Sequence, residues 1–278
     1  MDTIEVTLSV PLLEHDRYIG GLSDWATGFQ QTDSTLIAYI PVEEWSGALR
    51  ERVATRLRAD GYTDALEVRV LGERNWNAEW EASLTPVRVG PFLLCPTTGE
   101  EREDTEATVL RIDPKQSFGT GHHATTRLVL RLLAGTVAPG DTVIDVGTGT
   151  GVLAIAAARL GASFVLGVDI EPGAVQNARE NVAQNDVEDR VTIREGSIDT
   201  FPADRSADVI VANMTRHPLL ALLPDLGRRL ADTGHLLLSG LLTSDRPDMR
   251  EALHELNFKI NGEHTEDGWW AVHCTRGA

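Results

Sequence analysis

Cysteine and long apolar stretches are scarce in this sequence. The 278 residues include two cysteines, Cys95 and Cys274, which are too few for a disulfide framework and do not form a metal-type cluster. No stretch of about 18 uncharged apolar residues is present, so no transmembrane helix is predicted. The first residues, Met1 to Glu5, are acidic and alternate in polarity, unlike a signal peptide. We therefore expect a soluble, cytoplasmic protein.

Lysine and positive charge are also scarce. The chain has 42 acidic and 25 basic residues and a net charge of −17, and its only lysines are Lys115 and Lys259. This balance argues against a broad nucleic-acid-binding surface, because such surfaces collect lysine and arginine. It favours a basic protein partner through long-range attraction. Acid-rich, lysine-poor surfaces also resemble those of proteins from salt-loving organisms, although a genome composition that favours arginine is an alternative explanation.

The most informative stretch for chemistry begins with a β-branched strand pattern at Thr142–Val146. Three alternating glycines follow it directly (Gly147, Gly149 and Gly151). An apolar helix pattern then begins at Val152, and a second strand pattern ends at Asp169. The two oxygens of a carboxylate at this position match the vicinal hydroxyls of a ribose. Val152 stands where the dinucleotide fingerprint needs its third glycine, so the pattern predicts a nucleoside pocket but argues against NAD.

The chain is predicted to fold as two domains joined by a helix. Residues 1–72 show alternating strand and helix patterns, with one strand uncertain, and predict a small α+β, ferredoxin-like domain. We expect this domain to bind a partner, with a purely structural cap as the alternative; the family resemblance described below implies substrate recognition. Residues 73–84 carry Trp76 and Trp80 at helical spacing and predict a linker helix. Residues 85–278 predict a seven-stranded, Rossmann-like α/β domain. Trp269 and Trp270, near its end, are interpreted as core or hairpin packing.

A second glycine-flanked loop, Ser117 to Thr126, leads into a predicted helix at residues 127–133. Its hydroxyls can cap that helix, and the loop can fold over the nucleoside pocket as a lid. It contains His122 and His123, but adjacent histidines point to opposite sides and no third ligand is evident. We therefore expect no metal site.

Asn213 follows the apolar strand pattern of residues 208–212. A polar side chain at the carboxyl end of a strand beyond the switch point of an open α/β sheet lies where such folds perform their chemistry. Asn213 is therefore the candidate catalytic residue.

Together these segments resemble the ribosomal protein L-eleven methyltransferases of the PrmA type, over nearly the whole chain. The likeness includes Asn75-Trp-x-x-x-Trp80, Asp113-Pro114 leading into Phe118-Gly-Thr-Gly121, the glycine turn with Asp169, and Asn213 after Asp208-Val-Ile-Val. Three features depart from the family pattern. His122 and Ala124 replace a threonine and a proline, Met214-Thr215 replaces Ile-Leu, and the N-terminal module is shortened around Phe29. None of these changes removes a predicted cofactor contact.

The resemblance implies a class I methyltransferase domain that uses S-adenosyl-L-methionine to methylate lysine or N-terminal amines of a large-subunit ribosomal protein. The residues predicted to bind the cofactor are Phe118, Gly119, Thr120, Gly121, Thr126, Asp145, Gly147, Gly149, Gly151, Asp169, Ile170, Ser197, Ile198 and Asn213. The alternative function is a methyltransferase of the same fold that acts on another protein or on a small-molecule amine. An NAD oxidoreductase would need a catalytic Tyr-Lys or histidine pair, and only two lysines exist, neither suitably placed. A silent cofactor-binding module is disfavoured by the intact Gly147 and Asp169.

Overall fold

A computed structural model describes residues 3–71, 85–97, 107–115 and 117–277 of the chain. The chain divides into two compact units, Met1–Glu79 and Trp80–Ala278. The linker helix predicted for residues 73–84, with its two tryptophans, lies outside the described residues. Among the helices that are described, none is long and apolar enough to cross a membrane.

The first unit is a four-stranded antiparallel sheet with two helices, in the chain order β1 (Thr3–Leu8), α1 (His15–Leu22), β2 (Gly28–Gln31), β3 (Leu36–Pro41), α2 (Gly47–Ala59) and β4 (Leu66–Leu71). The strands lie in the order β2-β3-β1-β4. Alternation in β1 places Ile4, Val6 and Leu8 in the core. Ser46 caps α2: its side chain accepts a hydrogen bond from the amide of Leu49 at 3.1 Å.

Two expectations for this unit change in detail. The spacing of apolar residues predicts a helix from Leu12 to Trp25, but residues 12–14 form a 3₁₀ turn and the α-helix runs from His15 to Leu22. The sequence from Ala26 to Asp33 predicts a loop or a short strand, and the structure has a strand there, β2, paired with β3. The unit therefore has the strand and helix order βαββαβ.

The second unit begins with a small sheet in the order β5-β6-β7. Its strands are β5 (Val87–Val89), β6 (Phe92–Pro96) and β7 (Thr108–Ile112). The sequence patterns from Pro86 to Cys95 and from Thr108 to Ile112 predict a strand pair, but the structure has three strands. β5 and β6 form a hairpin and β7 adds parallel to β6. The hairpin turns at Gly90, where φ is +56°.

The large sheet has seven strands, in the order β10-β9-β8-β11-β12-β14-β13. Its elements are α3 (Ala124–Thr136), β8 (Thr142–Val146), α4 (Val152–Arg159), β9 (Phe164–Asp169), α5 (Pro172–Gln184), β10 (Val191–Glu195), β11 (Ala207–Asn213), α6 (Arg216–Arg229), β12 (Leu230–Leu242), α7 (Arg246–Glu255), β13 (Phe258–Glu266) and β14 (Trp269–Arg276). The strands from β10 to β12 are parallel, and β14 and β13 are antiparallel to their neighbours. The predicted α/β class is therefore confirmed, with a large mixed sheet.

Both faces of the large sheet are covered, as buried parallel strands require. Neighbouring residues of β8 point to opposite cores, because Val143 packs with α3, α4 and α5 whereas Ile144 packs with α6 and α7. β8 lies beside both β9 and β11, so the chain order reverses at this point in the sheet. Such a reversal opens a crevice at the carboxyl ends of the strands.

Three asparagines fasten the chain segment before the second glycine loop to α5 (Asn177, Asn181 and Asn185). The Asn181 side chain accepts a hydrogen bond from the amide of Asp113 at 2.9 Å and donates to the Asp113 carbonyl at 3.0 Å. It also donates to the carbonyl of Thr150 in the glycine turn, at 2.8 Å. One buried amide thus links Asp113 to the turn after β8.

Candidate active site

The turn after β8 depends on glycine. Gly147, Gly149 and Gly151 have φ values of +74°, +54° and +81°, which side chains other than glycine rarely adopt. The amides of Gly147 and Thr148 both donate to the carbonyl of Val168 in β9, at 2.8 and 2.9 Å. The turn is therefore held against the neighbouring strand with its backbone exposed to the crevice.

Asp169 ends β9 beside this turn. One carboxylate oxygen accepts a hydrogen bond from the amide of Gly149 at 2.9 Å, and the other accepts from the amide of Glu171 at 3.1 Å. These two bonds fix the orientation of a carboxylate that remains partly exposed. Asp169 is thus placed to accept hydrogen bonds from a ligand diol as well.

The loop of residues 117–123 folds over the glycine turn, as predicted for a lid. The carbonyl of Phe118 accepts a hydrogen bond from the amide of Thr150 at 3.0 Å, and the Thr150 hydroxyl donates to the carbonyl of Gly119 at 3.1 Å. A Cβ atom on Gly149 would lie 2.4 Å from the Phe118 carbonyl oxygen. The absence of that side chain lets the two loops meet.

The cap of α3 differs from the prediction. The sequence favoured a hydroxyl, but the N-cap is His123, whose Nδ1 accepts a hydrogen bond from the amide of Thr125 at 3.3 Å. The helix therefore begins at Ala124, three residues before the predicted start. Burial, with a smaller contribution from the charge of Arg127, lowers the pKa of His123, so its ring is neutral near pH 7.

The glycine turn, the loop and the ends of three strands enclose a cavity of about 1030 Å³. Eight of the residues predicted to bind a cofactor line it, namely Phe118, Gly119, Gly147, Gly149, Asp169, Ile170, Ser197 and Asn213. These residues come from separate segments of the chain, and the fold brings them to one edge of the sheet.

The other six predicted residues form the layer behind this surface and do not line the cavity (Thr120, Gly121, Thr126, Asp145, Gly151 and Ile198). Gly151 is the N-cap of α4, in the left-handed conformation, and Ile198 is buried in the core. The hydroxyl of Thr126 is buried and has no hydrogen-bond partner among the described residues. The cofactor contacts predicted for these six residues stay predictions.

Asp145 is the buried carboxyl in this supporting layer. The hydroxyl of Thr148 donates to one of its oxygens at 2.7 Å. Burial raises the pKa of Asp145 to about 7, against the lowering effect of hydrogen bonds from Thr148 and the Ala154 backbone, and the charge of Asp169 raises it slightly further. A carboxyl group that titrates near neutrality thus lies beneath the glycine turn.

Asn213 lies at the carboxyl end of β11, and its side chain reaches the cavity. Its Oδ1 atom is buried and accepts no hydrogen bond from the described residues. The next residue, Met214, is fixed because its amide donates to the carbonyl of Ser239 at 3.0 Å. A buried acceptor on a firmly held strand end can orient an N–H group of a bound molecule.

An aromatic group on the cavity wall was missed from the sequence. The His123 ring lies between Phe118 and Trp269, with centroids 5.1 and 4.7 Å apart and edge-to-face geometry. The interpretation of the tryptophan pair as packing is right for Trp270, which is fully buried, but Trp269 lines the cavity. The sequence around Trp269 shows only a hairpin pattern. It could not reveal the position of this residue at the cavity, because that position depends on the pairing of β14 with β12.

Metal-ligand clusters were sought among the same described residues, and none with three or more histidine, cysteine or acidic side chains was found. The His122 ring lies beside the Thr120 hydroxyl, at 3.2 Å. His123 is occupied in capping α3 and in the aromatic contacts.

Comparison with known proteins places the chain in a family. The model of the family "Ribosomal protein L11 methyltransferase (PrmA)" matches residues 10–277. The ribosomal protein L11 methyltransferase of Chlorobaculum parvum is 37% identical over 272 residues, which cover 96% of this chain and 94% of the relative. That of Symbiobacterium thermophilum is 40% identical over 213 residues, or 76% of this chain and 69% of the relative.

A solved structure is also similar. The crystal structure of a ribosomal protein L11 methylase from Lactobacillus delbrueckii subsp. bulgaricus superposes with a TM-score of 0.64 at 31% identity, over 70% of this chain and all of that one. The family match extends over nearly the whole chain, both units included, and the glycine turn, Asp169 and Asn213 all fall within it. The chain belongs to the ribosomal protein L11 methyltransferase (PrmA) family.

Proposed function

We propose that the protein transfers methyl groups from S-adenosyl-L-methionine to lysine or N-terminal amines of ribosomal protein L11, the substrate named for its relatives. The observation that carries this proposal is the meeting of Asp169, the glycine turn and Asn213 in one cavity. The first two features suit a nucleoside, and the third suits an amine. Because ribosomal proteins are made and assembled in the cytoplasm, we propose that the protein acts there.

The residues present fit this cofactor. Gly147 and Gly149 expose backbone where a ligand must approach closely, and Asp169 has a fixed carboxylate for the ribose hydroxyls. Ile170, which is largely exposed at the cavity, and Ser197 would contact the adenine. When bound, S-adenosyl-L-methionine supplies a methyl group on a positively charged sulfur.

Methyl transfer also requires that the substrate amine be held in position and be neutral. A lysine amine with a pKa near 10.4 costs roughly 4.6 kcal/mol to deprotonate at pH 7, whereas an N-terminal amine near 7.8 costs only about 1 kcal/mol. The buried Oδ1 of Asn213 can accept a hydrogen bond from the amine and direct its lone pair, with solvent taking the proton. Asn213 is thus the proposed catalytic residue.

We propose that the βαββαβ unit is a ferredoxin-like domain for substrate recognition, with the domain limits 1–72, 73–84 and 85–278 predicted from the sequence. It contains none of the residues that line the cavity. The net charge of −17 supports a basic partner, because opposite charges accelerate association and orient the encounter. A methyltransferase acting on another protein or on a small amine remains the alternative.

A labelling experiment tests the proposal. Purified protein is incubated with methyl-labelled S-adenosyl-L-methionine and ribosomal proteins from cells that lack this methylation. Asp169→Ala is compared with Asp204→Ala, which removes an exposed carboxylate that does not line the cavity. We expect label on L11 with the wild type and with Asp204→Ala, and strongly reduced label with Asp169→Ala. Label on a different protein would support the alternative.

A second experiment separates binding from chemistry at Asn213. Asn213→Ala should lower kcat by roughly a hundredfold, because it removes the group that orients the amine. The Kd for S-adenosyl-L-methionine, measured by calorimetry, should change much less. Equal losses in kcat and cofactor affinity would show instead that Asn213 holds the cofactor.

A further inference from the structure

Arg127, on the first turns of α3, connects two segments that are distant in the sequence. Its Nε donates to a carboxylate oxygen of Glu266, at the end of β13, at 2.6 Å. The same guanidinium also donates to the carbonyl of His122 in the loop over the glycine turn. It lies 3.5 Å from the carboxylate of Asp267 in the β13–β14 turn. One side chain therefore fastens the loop and the hairpin turn to the same helix.

The contact between Arg127 and Glu266 is largely shielded from solvent, whereas Asp267 is exposed. The Arg127 and Glu266 side chains are 19% and 23% exposed. Burial alone would raise the pKa of Glu266, but hydrogen bonds from Arg131 and Arg127 outweigh it and hold that pKa below its ordinary value. Glu266 is thus ionised at neutral pH, and the charge-assisted bonds to it are stronger than those between neutral groups.

The two fastened segments carry the aromatic wall, defined here as Phe118, His123 and Trp269. Phe118 and His123 belong to the loop, and Trp269 begins β14 directly after the hairpin turn. The edge-to-face contacts of His123 with both partners depend on the relative position of loop and turn. Arg127 touches both segments without lining the cavity itself.

Trp269, one member of the aromatic wall, lies on the far side of Asn213 from Asp169. Along the sheet, β9 with Asp169 and β14 with Trp269 stand on opposite sides of β11, which ends at Asn213. Because β14 is antiparallel, its first residue lies at the same edge as the carboxyl ends of the parallel strands. Asp169 and Trp269 therefore flank Asn213 along the sheet edge. Aromatic faces attract alkylammonium groups, and a neutral His123 does not repel them.

We propose that Arg127 is a positioning residue, which through its bonds to Glu266 and the His122 carbonyl holds the aromatic wall where the amine-bearing side chain of the substrate enters. This inference rests on the proposed function for the nature of the substrate. The fastening of the two segments is a property of the chain alone, so it is tested separately.

The first test needs no substrate. Amide hydrogen exchange is compared in the wild type, Arg127→Gln and Arg131→Gln. Arg131 is the matched control, because it also bonds to Glu266 but is 44% exposed and has no bond to the loop carbonyl. Exchange in residues 117–123 and 265–269 should accelerate by about tenfold or more in Arg127→Gln and by less than about twofold in Arg131→Gln. Equal exchange in all three proteins would overturn the proposal.

The second test asks whether the position matters for the substrate. Arg127→Gln should lower kcat/KM for L11 by about tenfold, mainly through KM, and leave the Kd for S-adenosyl-L-methionine within about twofold. In a Trp269→Ala background the same substitution should have little additional effect, because the wall through which Arg127 acts is already lost. If Arg127 had a purely structural role, Arg127→Gln would lower stability, and its effect on kcat/KM would multiply independently with the effect of Trp269→Ala.

The outcomes distinguish this inference from the function on which it rests. If the wild type labels L11 and Arg127→Gln matches it in kcat/KM, the inference fails and the function stands. If the wild type binds S-adenosyl-L-methionine but labels no L11, the proposed function fails. In that case the exchange experiment alone decides whether Arg127 fastens the two segments. Full additivity with Trp269→Ala would also overturn the proposal.

Discussion

Asp145→Asn should remove a defined part of the pH dependence of stability. Burial raises the pKa of this carboxyl from 3.8 to about 7 in the folded protein. A raised carboxyl pKa means that the folded state binds the proton more tightly than the unfolded chain. The stability that the folded protein gains from protonation of Asp145 is therefore complete below pH 3.8 and is lost as the pH rises through 7. Between pH 5 and pH 8, ionisation of this one group lowers the free energy of unfolding of the wild type by on the order of 2–3 kcal/mol.

Asparagine has nearly the same shape and can still accept the hydrogen bond from Thr148, but it does not titrate. Urea unfolding of both proteins at several pH values between 5 and 8 gives the free energies of unfolding. The wild type should lose roughly 2–3 kcal/mol more than Asp145→Asn over this range. Any constant cost of the substitution cancels in the comparison. Parallel curves for the two proteins would refute a neutral carboxyl beneath the glycine turn.

Three further predictions concern the cofactor, the asparagine contacts and salt. Gly149→Ala places a Cβ 2.4 Å from the Phe118 carbonyl oxygen and should weaken S-adenosyl-L-methionine binding in calorimetry by tenfold or more, on the order of 1.4 kcal/mol. Gly135→Ala, whose added Cβ has open space around it, should leave the affinity for S-adenosyl-L-methionine unchanged. Equal affinities for the two variants would contradict this prediction. Asn181→Ala should destabilise the protein in urea by about 2–4 kcal/mol, because backbone groups lose buried partners, whereas the exposed Gln176→Ala should have little effect. The melting temperature should rise between 0.1 M and 2 M KCl, roughly the range over which surface repulsion is screened; no gain would exclude adaptation to high salt.

The glycine-turn side of the cavity could be predicted from the sequence because its signals are local. Three features predict the same pocket and lie close together in the sequence: the strand before Gly147, the glycine turn, and the acid at the end of the next strand. The positions of this turn that adopt a positive φ are glycines, so the sequence shows them directly. Asn213 could be placed because the ends of parallel strands meet at one edge of the sheet.

The side of the cavity formed by Trp269 could not be predicted from the sequence in the same way. Trp269 reaches the cavity only because β14 returns antiparallel beside β12, and a hairpin pattern does not specify which strand it joins. The bond from Arg127 to Glu266 spans 139 positions of the chain. Similarly, Asn181 looks like an ordinary polar helix residue until Asp113 is packed against it. These features depend on tertiary contacts, to which local periodicity gives no access.

The central claim is methyl transfer to an amine of ribosomal protein L11, and intact mass spectrometry of purified, unmethylated L11 tests it most directly. Incubation with the protein and S-adenosyl-L-methionine should increase the mass of L11 by whole methyl groups, mapped by fragmentation to lysine side chains or to the N-terminus. The Asp169→Ala variant should leave the mass essentially unchanged. An unchanged L11 mass with a wild-type protein that binds S-adenosyl-L-methionine would contradict the account.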